Sequence, residues 1–348
     1  MASAAAPRAN DSRRITAVGL VIAAVVVLVY LHNALPYLTM MPRVNVDEPW
    51  LMERAYQVMQ TGQPRQPMYG LDRPYWLQAG YPYLLAGWMA AFGVGVLQAR
   101  LLGVVLGLGV LAMVAVIGRR LLGLWAGACA ALFLAADSNV LGGVRNGRTD
   151  IPAVFFASAA LASYAIARKR RSAGWWWLSG ACAGLGMLCH GNTFWIAVIL
   201  GIWLLIDYGW RAFVRSESFC LAGGLALTVA PYAAIVFTQW AEVQRQVNTF
   251  ASDRVPMYNA AGILHQMALE PSRYRTWYFG LVTNSVPNPL LLLFQIATAT
   301  GVFWLAWRVV SRRPSAGANG DAHVLTLAIG AAVIFAALVN NKPRYMHT

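Results

Sequence analysis

The sequence predicts an all-α, polytopic transmembrane helix bundle, and three observations carry that prediction. Of its 348 residues 59% are hydrophobic and only 11% charged, where a soluble domain carries about 25% charged residues. Apolar runs of roughly membrane-spanning length recur along the chain, and short basic turns separate many of them. Fourteen Trp and fourteen Tyr suit belts at the two membrane interfaces. The net charge of +14 is distributed in those turns. It follows membrane topology and does not indicate a nucleic-acid partner.

From the N-terminus, a polar tail with Arg8, Arg13 and Arg14 precedes an apolar run from Ile15 to about Leu38. The run is too long for a signal-peptide core and is read as a retained span. A polar loop follows, with an amphipathic helix beginning at Asp47-Glu48-Pro49. Pro49 fits a first helical turn, where its missing N–H costs nothing. Leu51, Met52, Ala55, Tyr56 and Met59 then recur at helical spacing, with Glu53, Arg54, Gln57 and Gln60 between them. Gly62 and Pro64 stop the pattern. Such a helix lies along a membrane surface. Its acid pair either does chemistry there or simply favours the positive end of the helix dipole.

Tyr81 to Phe92 is apolar but short, as expected of a re-entrant or interfacial helix on that loop. Residues 41–92 are therefore expected to form one loop with interfacial helices. Further spans are legible near 97–117, 121–137, 151–167, 174–190, 193–208, 218–239, 286–307 and 323–340, which with the first makes about nine. Gly103 with Gly107, and Gly180 with Gly184, have the small-xxx-small spacing that lets helices approach closely. The four cysteines, Cys129, Cys182, Cys189 and Cys220, fall in apolar segments without paired zinc-ligand spacing, and are read as small hydrophobes.

Placing the N-terminus inside puts Arg119-Arg120, Arg168 to Arg171, Arg211, Arg215, Arg308 and Arg312-Arg313 inside as well. Fourteen basic residues then lie on that side against four acids, and thirteen on the other against nine. The positive-inside rule favours this placement, so the 41–92 loop faces outward. Also outward lie Asp72-Arg73, Arg100, Asp137, Arg145, Arg148, Asp150, His190, the polar stretch Glu242 to Arg275, and Lys342 with Arg344. The middles of the spans carry no Asp, Glu, Lys, Arg or His, whereas ion-coupled transporters place such groups or broken helices near the midplane. A surface with both acids and cations suits chemistry on a lipid-anchored phosphate.

Several motifs then carry a family resemblance. They are Asp47-Glu48 after the first span, Tyr81-Pro82-Tyr83-Leu84-Leu85 leading to Ala99-Arg100-Leu101, and Gly118-Arg119-Arg120-Leu121-Leu122-Gly123 at the first inner turn. Arg145-Asn146-Gly147-Arg148-Thr149-Asp150, Gly184-Leu185-Gly186-Met187-Leu188 and Lys342-Pro343-Arg344-Tyr345 follow in order. Together they resemble the polyprenyl-phosphate-sugar-dependent membrane glycosyltransferases of the GT-C type. Within these the likeness is to the bacterial protein-mannosyltransferase and lipid A aminoarabinose-transferase group, akin to glycosyltransferase family 39. Where relatives carry a Lys-Gly pair this chain has His190-Gly191, which leaves open whether His190 replaces a phosphate-binding cation. Relatives also continue beyond the last motif, so a single membrane domain over 1–348, incomplete at its C-terminal side, is expected.

The resemblance implies Asp47 as general base with Glu48 as its neighbour or an acceptor contact. It implies Arg145, Arg148, His190, Lys342 and Arg344 as donor-phosphate contacts. Asp150 either holds an arginine or helps bind a divalent metal. The implied partners are a polyprenyl-phosphate sugar donor and membrane lipid, at the outer face of a bacterial inner membrane. The competing readings are a flippase or transporter without transferase chemistry, and a scaffold whose outer loop binds a partner. Sugar, acceptor and oligomeric state are not legible in the sequence.

Overall fold

The computed structural model describes residues 9–40, 42–44, 47–70, 73–251, 300–301, 303–311 and 319–338. Every element among them is helical: α1 (Ala9–Ala34), α2 (Asp47–Thr61), α3 (Gly80–Phe92), α4 (Val96–Leu121), α5 (Leu124–Ala136), α6 (Ser138–Val144) and α7 (Asp150–Arg170). Then come α8 (Ala173–Cys189), α9 (Phe194–Tyr208), α10 (Ser216–Thr238) and α11 (Trp240–Ala251), α12 over 303–311, and α13 (Asn319–Leu338). Among the described residues, five stretches are long and apolar enough to cross a membrane: Ala17–Ala34, Val96–Leu121, Asp150–Arg170, Gly191–Val214 and Ser216–Thr238. The chain is an all-α, multi-pass membrane bundle. Apolar α5 has 13 residues and α8 has 17, about 20 and 26 Å at 1.5 Å per residue. Most of the span expected at 286–307 lies outside the described residues.

The helices pack in an order set by their small residues. α8 lies between α7 and α10, α4 against α5 and α7, α3 on α2, and α13 on α9. A Cβ at Gly103 would collide with the carbonyl of Val144, and one at Gly107 with the Tyr30 hydroxyl, so α4 sits directly on α6 and α1. At Gly180 and Gly184 a Cβ would collide with the Leu221 carbonyl and the Thr228 hydroxyl, which seats α8 on α10. The small-xxx-small spacing therefore marks real close approach in both places. Tyr30, fully buried in α1, donates to Val104 O at 2.9 Å and so adds a hydrogen bond to that contact.

Helix ends follow local chemistry. Asp150 opens α7 and Arg168, Lys169 and Arg170 close it, complementing the helix dipole at both ends. α2 opens on Asp47 and Glu48 and stops at Gly62, whose φ of 74° is left-handed and whose N–H donates to Val58 O at 2.9 Å. Among the described residues two large clusters and a small third one form the core. One joins Tyr30, Leu51, Tyr81, Leu85, Ala99 and Val144 beneath α2 and α3. The other is built around Tyr164, Trp176 and Trp203 between α7, α8 and α9.

At the end of the bundle away from α2, Asp207 gathers α7, α9 and α13. Its carboxylate accepts from Tyr164 Oη at 2.9 Å and Asn319 Nδ2 at 3.0 Å. It also pairs with Arg168 Nε at 2.8 Å and lies 3.4 Å from His323 Nε2. Buried charges are tolerated only when their lone pairs are satisfied in this way.

α2 departs from the expected two-faced helix. Glu53 and Arg54, which fall between the apolar positions, are buried, while Tyr56 and Met59 are exposed. The reason is that α2 is covered on both sides. Glu53 Oε1 accepts from Met68 N–H at 2.6 Å, and Arg54 Nη2 donates to the carbonyls of Tyr75 and Leu77 at 2.9 and 2.8 Å. α11 also occupies part of the stretch read as a polar loop.

Candidate functional site

Five elements meet at one end of the bundle: the starts of α2, α3, α4 and α7, and the close of α8. Gly80 at the start of α3 abuts Leu188 near the end of α8, and Gly186 lies against Ala153 and Phe156 of α7. The turn 145–149 between α6 and α7 rests on the start of α2. Of the ionisable residues that the sequence placed outward, this convergence carries Asp47, Glu48, Arg100, Arg145, Arg148, Asp150 and His190.

Glu48 lies at the bottom of the site and is completely buried. Its carboxylate faces Arg100 in a bidentate pair, Nε to Oε1 at 2.8 Å and Nη2 to Oε2 at 2.7 Å. Arg100, equally buried, donates its remaining Nη1 to Leu38 O at 2.7 Å. Gly147 N–H donates to Glu48 Oε1 at 2.8 Å. One carboxylate thus ties α2 to α4 and to the 145–149 turn. Fork-to-fork geometry of this kind fixes orientation as well as charge.

Asp47, one residue earlier, is at the surface. Arg148 reaches it with Nη2 at 3.3 Å and reaches Asp150 with Nε at 3.3 Å. The three side chains are 39%, 35% and 47% exposed for Asp47, Arg148 and Asp150. One guanidinium therefore bridges two half-exposed carboxylates. Arg145 donates through Nη2 to the Pro36 carbonyl, and its Nε is buried without a partner. Tyr81 is buried just inside the site. Burial pushes its phenol well above the ordinary range, helped by the nearby carboxylates of Glu48 and Asp150.

His190 closes α8 at this same end and accepts from Asn192 N–H through Nδ1 at 3.2 Å, starting the turn to α9. Lys342 and Arg344 lie outside the described residues, as does Asp72. Among the described residues no three His, Cys, Asp or Glu side chains group as metal ligands; Asp47 and Asp150 are instead bridged by Arg148. The structure so brings together Asp47, Glu48, Arg148 and Asp150, with Arg145 beside them. It adds Arg100 as the counterion of Glu48, which the sequence offered only as an outward cation.

Asp137, an expected outward acid, acts as a cap: its Oδ1 accepts from Val140 N–H at 2.8 Å at the start of α6. Asp at that position is itself a helix-start signal.

Residues 74–235 match the family model for dolichyl-phosphate-mannose-protein mannosyltransferase. No curated protein sequence matches the chain. Among solved structures, the Archaeoglobus fulgidus oligosaccharyltransferase in complex with zinc and sulfate superposes with a TM-score of 0.58 at 17% identity, over 91% of this chain and 48% of that one. The same organism's oligosaccharyltransferase AglB, in complex with an inhibitory peptide and a dolichol-phosphate, gives 0.57 at 14% identity, over 92% and 47%. ArnT from Cupriavidus metallidurans bound to undecaprenyl phosphate gives 0.56 at 18%, over 93% and 60%. At these identities the likeness is one of fold. The chain spans about half the length of the oligosaccharyltransferase. The family match and the shared fold agree with the motif order: the chain resembles the GT-C glycosyltransferases that use polyprenyl-phosphate-linked donors.

Proposed function

We propose that this protein transfers a sugar from a polyprenyl-phosphate donor to a hydroxyl or amine of a protein, lipid or glycan acceptor at the outer face of a bacterial inner membrane. The N-terminus is then cytoplasmic. The observation that carries the reading is the split of one acidic dipeptide. Asp47 stands half-exposed beside Arg148 and Asp150, while Glu48 is locked beneath it by Arg100. A base must reach the proton that it takes, and of the two only Asp47 is accessible. The family match over 74–235 supports a polyprenyl-phosphate sugar as the donor class.

The acceptor approaches the anomeric carbon from the side opposite the phosphate. As its oxygen or nitrogen bonds to that carbon, Asp47 takes its proton. The bond from the anomeric carbon to the phosphate oxygen breaks with its electron pair, and polyprenyl phosphate leaves. One displacement inverts the anomeric centre. Charge grows on the leaving phosphate, and cations fixed in advance stabilise it. Arg145, with its unpartnered Nε, and Arg148 are proposed for that role, with His190, Lys342 and Arg344 as the further contacts that the family resemblance implies. Asp150 shares Arg148 with Asp47 and holds it in place. Glu48 serves as a positioning acid.

Asp47→Asn tests the proposal. The change keeps size and most hydrogen bonding and removes the proton-accepting charge. Sugar transfer from a polyprenyl-phosphate donor, measured in membranes carrying the protein, should fall about 10²–10⁴-fold. Membrane insertion should be unchanged, since surface substitutions usually shift stability by less than about 0.5 kcal/mol. Near-wild-type turnover would remove Asp47 as the base.

A further inference from the structure

Two segments of the site face, 163 to 172 positions apart in sequence, are laced together by side chains. One is the connection 73–77 that leads from α2 to α3. The other is the end of α10 with α11. Gln246 is 5% exposed and contacts the connection twice. Its Oε1 accepts from Trp76 N–H at 2.9 Å and its Nε2 donates to Pro74 O at 2.9 Å. A primary amide presents an acceptor and a donor side by side, so Gln246 replaces the partner that a neighbouring strand would give. Gln239 Oε1 accepts from Trp76 Nε1 at 2.7 Å, and Arg73 faces Glu242 at 3.4 Å. Val243 buries its side chain with Trp76 and Ala79.

The far edge of the same connection is held by α2. Arg54 Nη2 donates to Tyr75 O and Leu77 O, and the guanidinium carbon lies 5.1 Å from the Trp50 ring centre and 4.7 Å from that of Tyr75. Four consecutive residues, 74 to 77, thus have backbone groups bonded to side chains from two different helices. Arg54 is buried, and its Nε and Nη1 find no other partner. Its guanidinium is therefore set by where 75–77 lies, and that stretch is held by Gln246 together with Gln239, Val243 and the Pro64 carbonyl, which accepts from Tyr75 N–H at 2.8 Å.

We infer that Gln246 is a positioning residue of the outer face: through residues 73–77 and Arg54 it fixes α2, and with it the placement of Asp47. The effect on transfer rests on the function proposed above; the mechanical link does not.

The test combines hydrogen exchange of the purified protein in lipid nanodiscs with a transfer assay on an undecaprenyl-phosphate sugar. In Gln246→Leu, exchange at 73–77 and at 50–58 of α2 should rise about tenfold or more, with α7 and α8 unchanged. The kcat should drop about three- to tenfold with the donor KM within about twofold, as expected when an interaction made in the transition state is misplaced. Gln246→Glu keeps the acceptor for Trp76 N–H but loses the donor to Pro74 O and sets a carboxylate against Glu242 Oε1, to which the native amide donates at 2.8 Å, so it should loosen 73–77 and α2 as Leu does. Faster exchange confined to 73–77, with α2 unaffected, overturns the inference, as does an unchanged kcat once α2 has loosened. If the wild type transfers nothing, the transferase reading fails by itself and exchange in α2 alone decides the link.

Discussion

Asp47 and Glu48 are adjacent in the chain and live in opposite electrostatic surroundings. Glu48 has exchanged water for a guanidinium fork and a backbone N–H. Removing one partner of such a buried pair leaves the other charge uncompensated, at a cost of about 3–5 kcal/mol. Glu48→Gln should therefore lower the thermal stability of the detergent-solubilised protein by about that amount. Glu48→Met with Arg100→Met should recover much of it, because no buried charge is left behind; a double variant no better than the worse single one contradicts this. Glu242 behaves differently at the outer surface. Arg245 first, then Gln246 and Arg73, hold its carboxylate down at about 2 against the opposing effect of burial. A depressed pKa contributes stability above the ordinary carboxylate range, and that contribution is lost as pH falls through about 2. Protection of 73–77 by α11, corrected for intrinsic exchange, should thus stay level from pH 8 to 5 and decline as pH falls from about 4.5 towards 2. Protection that stays level across that lower window would show that Glu242 is not held as described.

Elements differ in how far their sequence announces them. α2 was legible because its signals are local: Pro49 in the first turn and Gly62 past the last. The close helix pairs were legible too, since Gly180 and Gly184 lie one turn apart on one face of α8. The Glu48–Arg100 pair was not, because its members are 52 positions apart and nothing in either segment names the other. The burial of Glu53 and Arg54 was hidden for the same reason: periodicity reports one apolar face, and α2 is covered on two. α6 is not announced at all: its 7 residues fall between two spans and include two glycines. Gly180→Val should push α8 off the Leu221 carbonyl and cost about 1–3 kcal/mol in thermal unfolding. Gly201→Ala, where an added Cβ meets nothing within 4 Å, should stay within about 0.5 kcal/mol. Equal effects from the two would mean that the α8–α10 contact is looser than described.

At the scale of the whole molecule, the bundle separates its charges by end. Asp47, Glu48, Arg100, Arg148 and Asp150 meet at one end, and Asp207, Arg168 and His323 at the other. On the orientation proposed above, in which the basic turns lie inside, the second end faces the cytoplasm. Single cysteines at positions 45 and 146 of a Cys-free variant should then react with a membrane-impermeant thiol reagent in intact cells, and one at 170 should not. Labelling at 170 with none at 45 would invert the orientation. The central claim is that the outward end breaks a sugar–phosphate bond, whereas a flippase would only move the lipid. It is tested most directly by giving vesicles that contain the protein an undecaprenyl-phosphate donor with a radiolabelled sugar and candidate acceptors. The account predicts label in the acceptor and an equal amount of free undecaprenyl phosphate, both abolished by Asp47→Asn. Intact donor carried across the membrane with its sugar still attached would contradict it.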